Sequence, residues 1–510
     1  MKSVAGGLLL LAAASSAVLA AAPAGEDALI DAVRRRDAAA VQTLVRDRAD
    51  VNATEGDGTT ALHWAVDADD LPMVTMLIKA GARATVANRL GVTPLVLAAT
   101  NGSAAVLEAL LKAGANPNDA SAEGETVLMA AARSGSPAAV RALLNAGAQV
   151  NATEAWRGET ALMWAAAENH GPVVTLLIEH GAEKDARTRL LTFPSIRYNL
   201  ATHGTIANPQ GGFTALMFAA RQGAVDSARA LAEAGVDLNA QDPDGTPALN
   251  IAIGNGHTDV ARLLVERGAN PNVADNAGTT PLFAAVELHT TEMYPERKPR
   301  RTPGGAAGTL DLIRLLLARG ADPDSRLKRG SLRWGRGHSA GDGALTEGST
   351  PLMRAARFGD VAAMRVLLEA KADPGVTQKD RTTVLMLAAG AGWRTGETIL
   401  GGTDYGEESD AIEAVTLCLD RGADVNAADE DGLTALHHAV VRGSGVVRLL
   451  VERGAALDVK DKHGRTPLDV AQGVMAPREQ QRMRTSPLRE ASAVLLRQLT
   501  SAPSIPSTPR

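Results

Sequence analysis

Ten histidines, a single cysteine and one serine set among glycines are the residues of this 510-residue chain best suited to chemistry. Their spacing argues against most of it. His203 and His338 have no cysteine or carboxylate partner at zinc-site spacing. His437 and His438 are adjacent, so on a helix they point apart and chelate poorly. Gly337-His338-Ser339-Ala340-Gly341 matches a nucleophile elbow in letters. An elbow needs a strand entering the serine and a helix leaving it. Here Lys328 to Arg336 is basic and broken by glycine, and Gly341-Asp342-Gly343 starts a helix badly. Ser339 is the one residue an enzyme with its site in irregular segments would use, and no base is placed for it. Gly304-Gly305 and Gly401-Gly402 lack the Lys-Ser/Thr of a phosphate loop. No catalytic group, metal site or cofactor is expected. Cys418, in the apolar run Ala414 to Leu419, reads as a buried small hydrophobe, and a single cysteine allows no intrachain disulfide.

The elements around these residues follow a period. Thr60-Ala61-Leu62-His63, Thr93-Pro94-Leu95-Val96 and Thr126-Val127-Leu128-Met129 place a leucine in one setting at steps of 33, and the phrase returns at Leu162, Leu216, Leu249, Leu282, Leu352, Leu385, Leu436 and Leu468. Such a period marks a stacked array, in which each unit packs only on its neighbours and length sets no limit on the core. Aromatic residues are only 3%, so alanine and leucine must pack thin, closely spaced helical layers. Many units open on a turn signal, as at Asp57-Gly58 and Asp431-Gly432, and continue with a threonine placed to cap a helix. A second apolar helix ends at a glycine, among them Gly81, Gly114, Gly147 and Gly422, where a left-handed backbone costs little. Arg48 and Lys371 stand where that glycine belongs.

With its Thr-Pro-Leu-His type openings and closings such as Gly114-Ala115-Asn116-Pro117-Asn118 and Gly422-Ala423-Asp424-Val425-Asn426, the chain resembles the ankyrin-repeat family over about residues 27 to 499. The resemblance implies an all-α solenoid of about eleven helix-turn-helix units with short β-turn fingers. Residues 25–56 read as the N-terminal cap, 57–185, 211–287, 348–391 and 411–499 as repeats, and 310–324 as a second helix, with the C-terminal cap closing the last segment. Residues 500–510 read as a disordered tail. In the family's positions, His63, His257 and His437 support turns, and Trp64 and Trp164 pack between repeats. The partner-facing positions fall on Arg133, Glu168, Arg221, Arg357, Phe358 and Arg442, with Arg89 at a finger tip. A solvated helix face is the alternative for all of them.

Three steps break the period, 54 after Leu162, 70 after Leu282 and 51 after Leu385, and matching their flanks places four insertions at 186–210, 288–309, 325–347 and 392–410. They hold Tyr198, Tyr294 and Tyr405, together with Trp334, Trp393 and Phe193. The first three are strongly basic, with Arg300, Arg301 and Arg336 among their cations, while the fourth is acidic. Aromatic and arginine residues are the usual hot-spot types, and long loops in a compact array are often functional. Tyr198, Tyr294, Arg300, Arg301, Trp334, Arg336, Trp393 and Tyr405 therefore join the partner-binding candidates. Tolerated loop growth is the competing account, since lengthening a turn from ~4 to ~24 residues costs only about 1.6 kcal/mol. Pairing of the basic loops with the acidic loop inside one molecule is a third.

Lys2, the apolar Leu8 to Ala22 stretch and the small residues after it read as an export signal over 1–24, cleaved after Ala20 or Ala24. An uncleaved anchor is the alternative. The net charge of −6 does not announce a nucleic-acid binder. The expectation is an exported, periplasmic or secreted monomer without a membrane span after cleavage, holding a protein through its concave face and insertions, at an acidic surface or segment of that partner. A secreted effector that meets a host protein would use the same surface.

Overall fold

The computed structural model describes residues 27–191, 211–292, 305–329, 344–391, 408–474 and 487–501. They form 24 helices in consecutive pairs, so the eleven leucine-marked units and the capping unit make twelve helix pairs. No helix among them is long and apolar enough to cross a membrane. The expected all-α array is present.

Local chemistry sets each unit. Thr60, Thr93, Thr126, Thr160, Thr214, Thr350 and Thr383 sit in extended backbone, and each hydroxyl accepts the N–H three residues on. Short first helices such as Ala161–Ala167 follow, then second helices such as Gly171–Glu179. The marker leucines from Leu62 to Leu436 and their alanine neighbours are buried in one continuous core, and Leu468 packs against it partly buried. Alanine allows this because it packs both faces of a thin layer without losing side-chain entropy.

Between units the chain makes narrow fingers closed by isolated antiparallel bridges, among them Thr54 with Thr60, Ala120 with Thr126 and Ala428 with Thr434. At five of these closing turns an asparagine staples the turn to the next. Asn52 Nδ2 donates to the Gly81 carbonyl (3.1 Å), and its Oδ1 accepts from Arg83 N–H (2.8 Å). Asn118, Asn151, Asn272 and Asn426 repeat the arrangement one unit onward. Asn52-Ala53-Thr54 and Asn151-Ala152-Thr153 match a glycosylation sequon, and both asparagine side chains are occupied by these bonds. Arg48 (φ +63°) and Lys371 (φ +68°) hold the left-handed backbone that glycine holds elsewhere.

At the period breaks the neighbouring helices grow. Helix Pro281–Glu292 has 12 residues and its partner Gly305–Ala318 has 14, against 7 and 9 in an ordinary unit. Helix Glu408–Asp420 has 13. The finger before the first insertion runs on in regular form, with Thr188 N–H donating to the Phe213 carbonyl (3.0 Å) and Arg189 N–H to the Arg157 carbonyl (2.7 Å).

Candidate protein-binding surface

The first helices and the fingers share one face. On it a guanidinium repeatedly lies over an aromatic ring. Arg34 sits 4.1 Å above the Trp64 ring, and Glu55 holds both, accepting from Trp64 Nε1 (2.8 Å) and pairing with Arg34 (3.1 Å). Arg133 lies 4.8 Å over Trp164 and pairs with Glu125 at 3.3 Å. Arg221 lies over Phe218 at 4.8 Å and Phe213 at 5.4 Å, and those two rings meet edge to face. The stacking fixes each planar cation by about 0.5–2 kcal/mol, according to its exposure. Trp64 and Trp164 are half-buried, so they pack between units as expected and also floor this face.

The fingers bring a second group. Glu154 is buried and accepts the N–H groups of Trp156 (2.7 Å), Arg157 and Glu159 (2.9 Å), which locks the turn. That lock leaves Trp156 59% exposed with Arg157 stacked on it at 4.4 Å. On the next finger Leu190 is also 59% exposed, and Arg189 Nη1 ties the two fingers together through the Ala155 carbonyl (2.6 Å). Leu90, on an earlier finger, is 75% exposed. Glu159 lies beside the Trp164 indole without closing a well-formed hydrogen bond to it. Burial raises the Glu159 carboxyl above its usual range, against the pull of Arg157.

The candidates named from sequence divide three ways. Arg89 is exposed at a finger tip, its N–H donating to the Asp57 carbonyl (2.8 Å), and Arg133 and Arg221 belong to the ring stacks. Arg357, Phe358 and Arg442 are only 4%, 7% and 5% exposed, which corrects the expectation of a solvated, partner-facing position. The cause lies in their neighbours. Glu287, on helix Pro281–Glu292, lies 3.8 Å from Arg354, whose guanidinium lies 3.9 Å over Phe358, and the added residues His289 and Thr290 of that helix reach Asp360 two residues on. Arg442 fills the space beside Gly390, where a Cβ would meet its Cγ at 2.7 Å. Tyr198, Tyr294, Arg300, Arg301, Trp334, Arg336, Trp393 and Tyr405 lie outside the described residues, as does Ser339.

Trp156, Leu190 and Leu90 were not singled out by sequence reasoning. A signal existed for Trp156, which stands two residues before Gly158 in a turn, where no helix register can bury it. His63 and His437 take the structural role the resemblance implied. Thr60 N–H donates to His63 Nδ1 (3.1 Å), so Nε2 carries the proton and faces the Val92 carbonyl (3.1 Å). His437 does the same between Thr434 and the Arg465 carbonyl. Burial, first of all, pushes both imidazoles below their ordinary value of 6.5. Among the described residues no cluster of His, Cys, Asp and Glu could hold a metal ion.

Comparison with known proteins points the same way. The family model described as Ankyrin repeats (3 copies) matches residues 29–121, 95–188, 216–294 and 407–473, and the one described as Ankyrin repeat matches 347–381. The chain is 44% identical over 61 residues to Ankyrin repeat-containing protein P1E11.10 of Schizosaccharomyces pombe, a match that covers 12% of this chain and 30% of that protein. It is 43% identical over 67 residues to human Ankyrin repeat and SOCS box protein 6, covering 12% of this chain and 16% of that one. Against Potassium channel AKT1 of Oryza sativa subsp. indica it is 45% identical over 67 residues, 13% of this chain and 7% of the channel. These likenesses thus span less than a third of each relative.

Proposed function

The chain belongs to the ankyrin-repeat family, and from that premise we propose that it is a non-catalytic scaffold that holds another protein on the face built by its first helices and fingers. The observation that carries this reading is the repeated guanidinium-over-ring arrangement at Trp64, Trp164 and Phe218. Arginine backed by an aromatic ring is already immobilised, so it loses little side-chain entropy when a partner binds. The array itself is preformed, and affinity then rests on a few anchors. The cations on this face favour an acidic surface or segment. Lys2 and the apolar stretch that follows it support export to the periplasm or beyond.

The test is affinity capture with the full mature chain from its native envelope fraction, followed by reconstitution of binding with the purified captured protein. The expected result is a stoichiometric complex that salt weakens. A chain that holds no protein overturns the reading. So does ester hydrolysis by the pure chain that disappears in Ser339→Ala. Cell fractionation checks the location, and a chain retained in the cytoplasm removes the export proposal.

A further inference from the structure

We propose that the face of the fourth to sixth units docks an extended protein segment in which carboxylates recur about every third residue, with large apolar side chains between them. This rests on the scaffold reading and narrows it to one place and one kind of occupant.

Two observations point to an apolar contact. Trp156 and Leu190 project from neighbouring fingers, and both fingers are held by internal bonds through Glu154 and Arg189. Single exposed apolar residues are ordinary on a protein surface. Two of them, held rigidly side by side with a guanidinium stacked on one, form a preorganised anchor of hot-spot composition.

The charges define the rest of the occupant. Arg133 and Arg221, in the last turns of the fourth and sixth units' first helices, and Arg157, on the finger that opens the fifth unit, supply three ring-backed guanidiniums along the stack. Arg133 and Arg157 are nearly half exposed, and each engages one carboxylate, Glu125 and Glu159 respectively. A guanidinium offers five N–H donors, so each can also take a partner's carboxylate. Packed helices lie about 8–10 Å apart, and an extended segment in the polyproline II conformation, with three residues per turn and about 3.1 Å rise per residue, brings every third side chain back to the same side about 9 Å further on. One carboxylate about every third residue therefore meets one guanidinium per unit. Glu125 and Glu159 alternate with the cations, and they set a uniform polyanion at a disadvantage, because some of its phosphates would face carboxylates. A protein segment can place apolar side chains at those positions instead. Nucleic acid is thus the disfavoured occupant, although arginine and aromatic side chains would otherwise suit it.

The experiment uses the full chain and two fluorescein-labelled peptides of one composition, read by fluorescence anisotropy. In the first, glutamate alternates regularly with leucine and serine. In the second, the same residues are permuted so that all glutamates cluster at one end. Oligo-dT serves as the polyanion competitor. The expected result is binding of the regular peptide at least about tenfold tighter than the permuted one, with a loss of about tenfold or more in Trp156→Ala/Arg157→Glu. Both side chains are exposed on a finger, and an unchanged urea unfolding curve verifies the fold. Leu190→Ser provides an independent second variant with the same expected direction. Failure of the regular peptide to bind, equal affinity for both peptides, insensitivity to the substitutions, or displacement by oligo-dT at lower concentration overturns the proposal. Capture of the native partner separates the two readings. A complex that survives Trp156→Ala/Arg157→Glu removes this inference and leaves the scaffold, whereas a chain that captures nothing removes the scaffold itself.

Discussion

His289 Nδ1 lies 2.6 Å from Asp360 Oδ2, with both side chains buried, and so ties the lengthened helix Pro281–Glu292 to the next unit. The other carboxylate oxygen of Asp360 accepts Ala363 N–H (3.0 Å), which caps helix Val361–Glu369. One aspartate therefore fixes a helix start and an inter-unit contact together. Thr290 Oγ1 adds a bond to the Val286 carbonyl (2.6 Å) and reaches the same carboxylate at 3.4 Å.

Removing one member of this pair leaves the other buried without its partner. Asp360→Ala should cost about 2–4 kcal/mol, the sum of a lost buried bond and a lost cap. His289→Ala should cost about 1–3 kcal/mol. Urea unfolding of the two single variants and the double variant measures this. The double variant should fall well short of the sum, because the two side chains share one interaction. Additive effects would show that the contact contributes nothing of its own.

His63 and His437 give stability a pH dependence with a definite sign. Their folded pKa lies below the ordinary 6.5, so the unfolded state binds protons first as pH falls. Their contribution is complete above that value and is lost as pH drops through it toward the folded pKa. Other units carry methionine at this position, and Met129 and Met386 accept the same threonine N–H through sulfur. His63→Met/His437→Met should therefore fold, and its Tm should change less than that of the parent between about pH 7 and 5. Parallel Tm curves for the two proteins would refute this assignment.

Lys371 is exposed and sits at φ +68°. An L-residue there pays roughly 1–2 kcal/mol in backbone strain, while glycine adds unfolded-state entropy of about 0.5–1 kcal/mol. Lys371→Gly should raise stability by about 0.5–1 kcal/mol, read from the urea midpoint at constant slope. A destabilised variant would mean that the lysine side chain holds the turn in some other way.

Much of this fold is written locally, and for that reason it is legible in the sequence. The capping threonines, the closing glycines and the buried leucines act within one unit, so their spacing alone locates helices and turns. Cys418 follows the same logic, being fully buried with its thiol pushed up to about 12. The binding surface is less legible because it depends on what neighbours do. Arg133 and Arg357 both follow an Ala-Ala pair, yet Arg133 is exposed while Arg357 is buried beside a layer that a longer helix reaches. The breaks in period say where insertions are expected but not how far the flanking helices extend. A deletion of 288–309 would remove His289 and Thr290 and confound lost packing with lost binding. A cut that spares both residues is the cleaner test of that loop.

The asparagine staples also determine how the array yields under load. Each joins only adjacent closing turns, as Asn52 joins Gly81 and Asn426 joins Gly454. Tension between the ends is therefore borne in series, as by links in a chain, and the weakest link gives first while the others stay shut. A partner that bridges several units would act as a splint across those links, and its grip would be felt as mechanical stiffness far from where it touches.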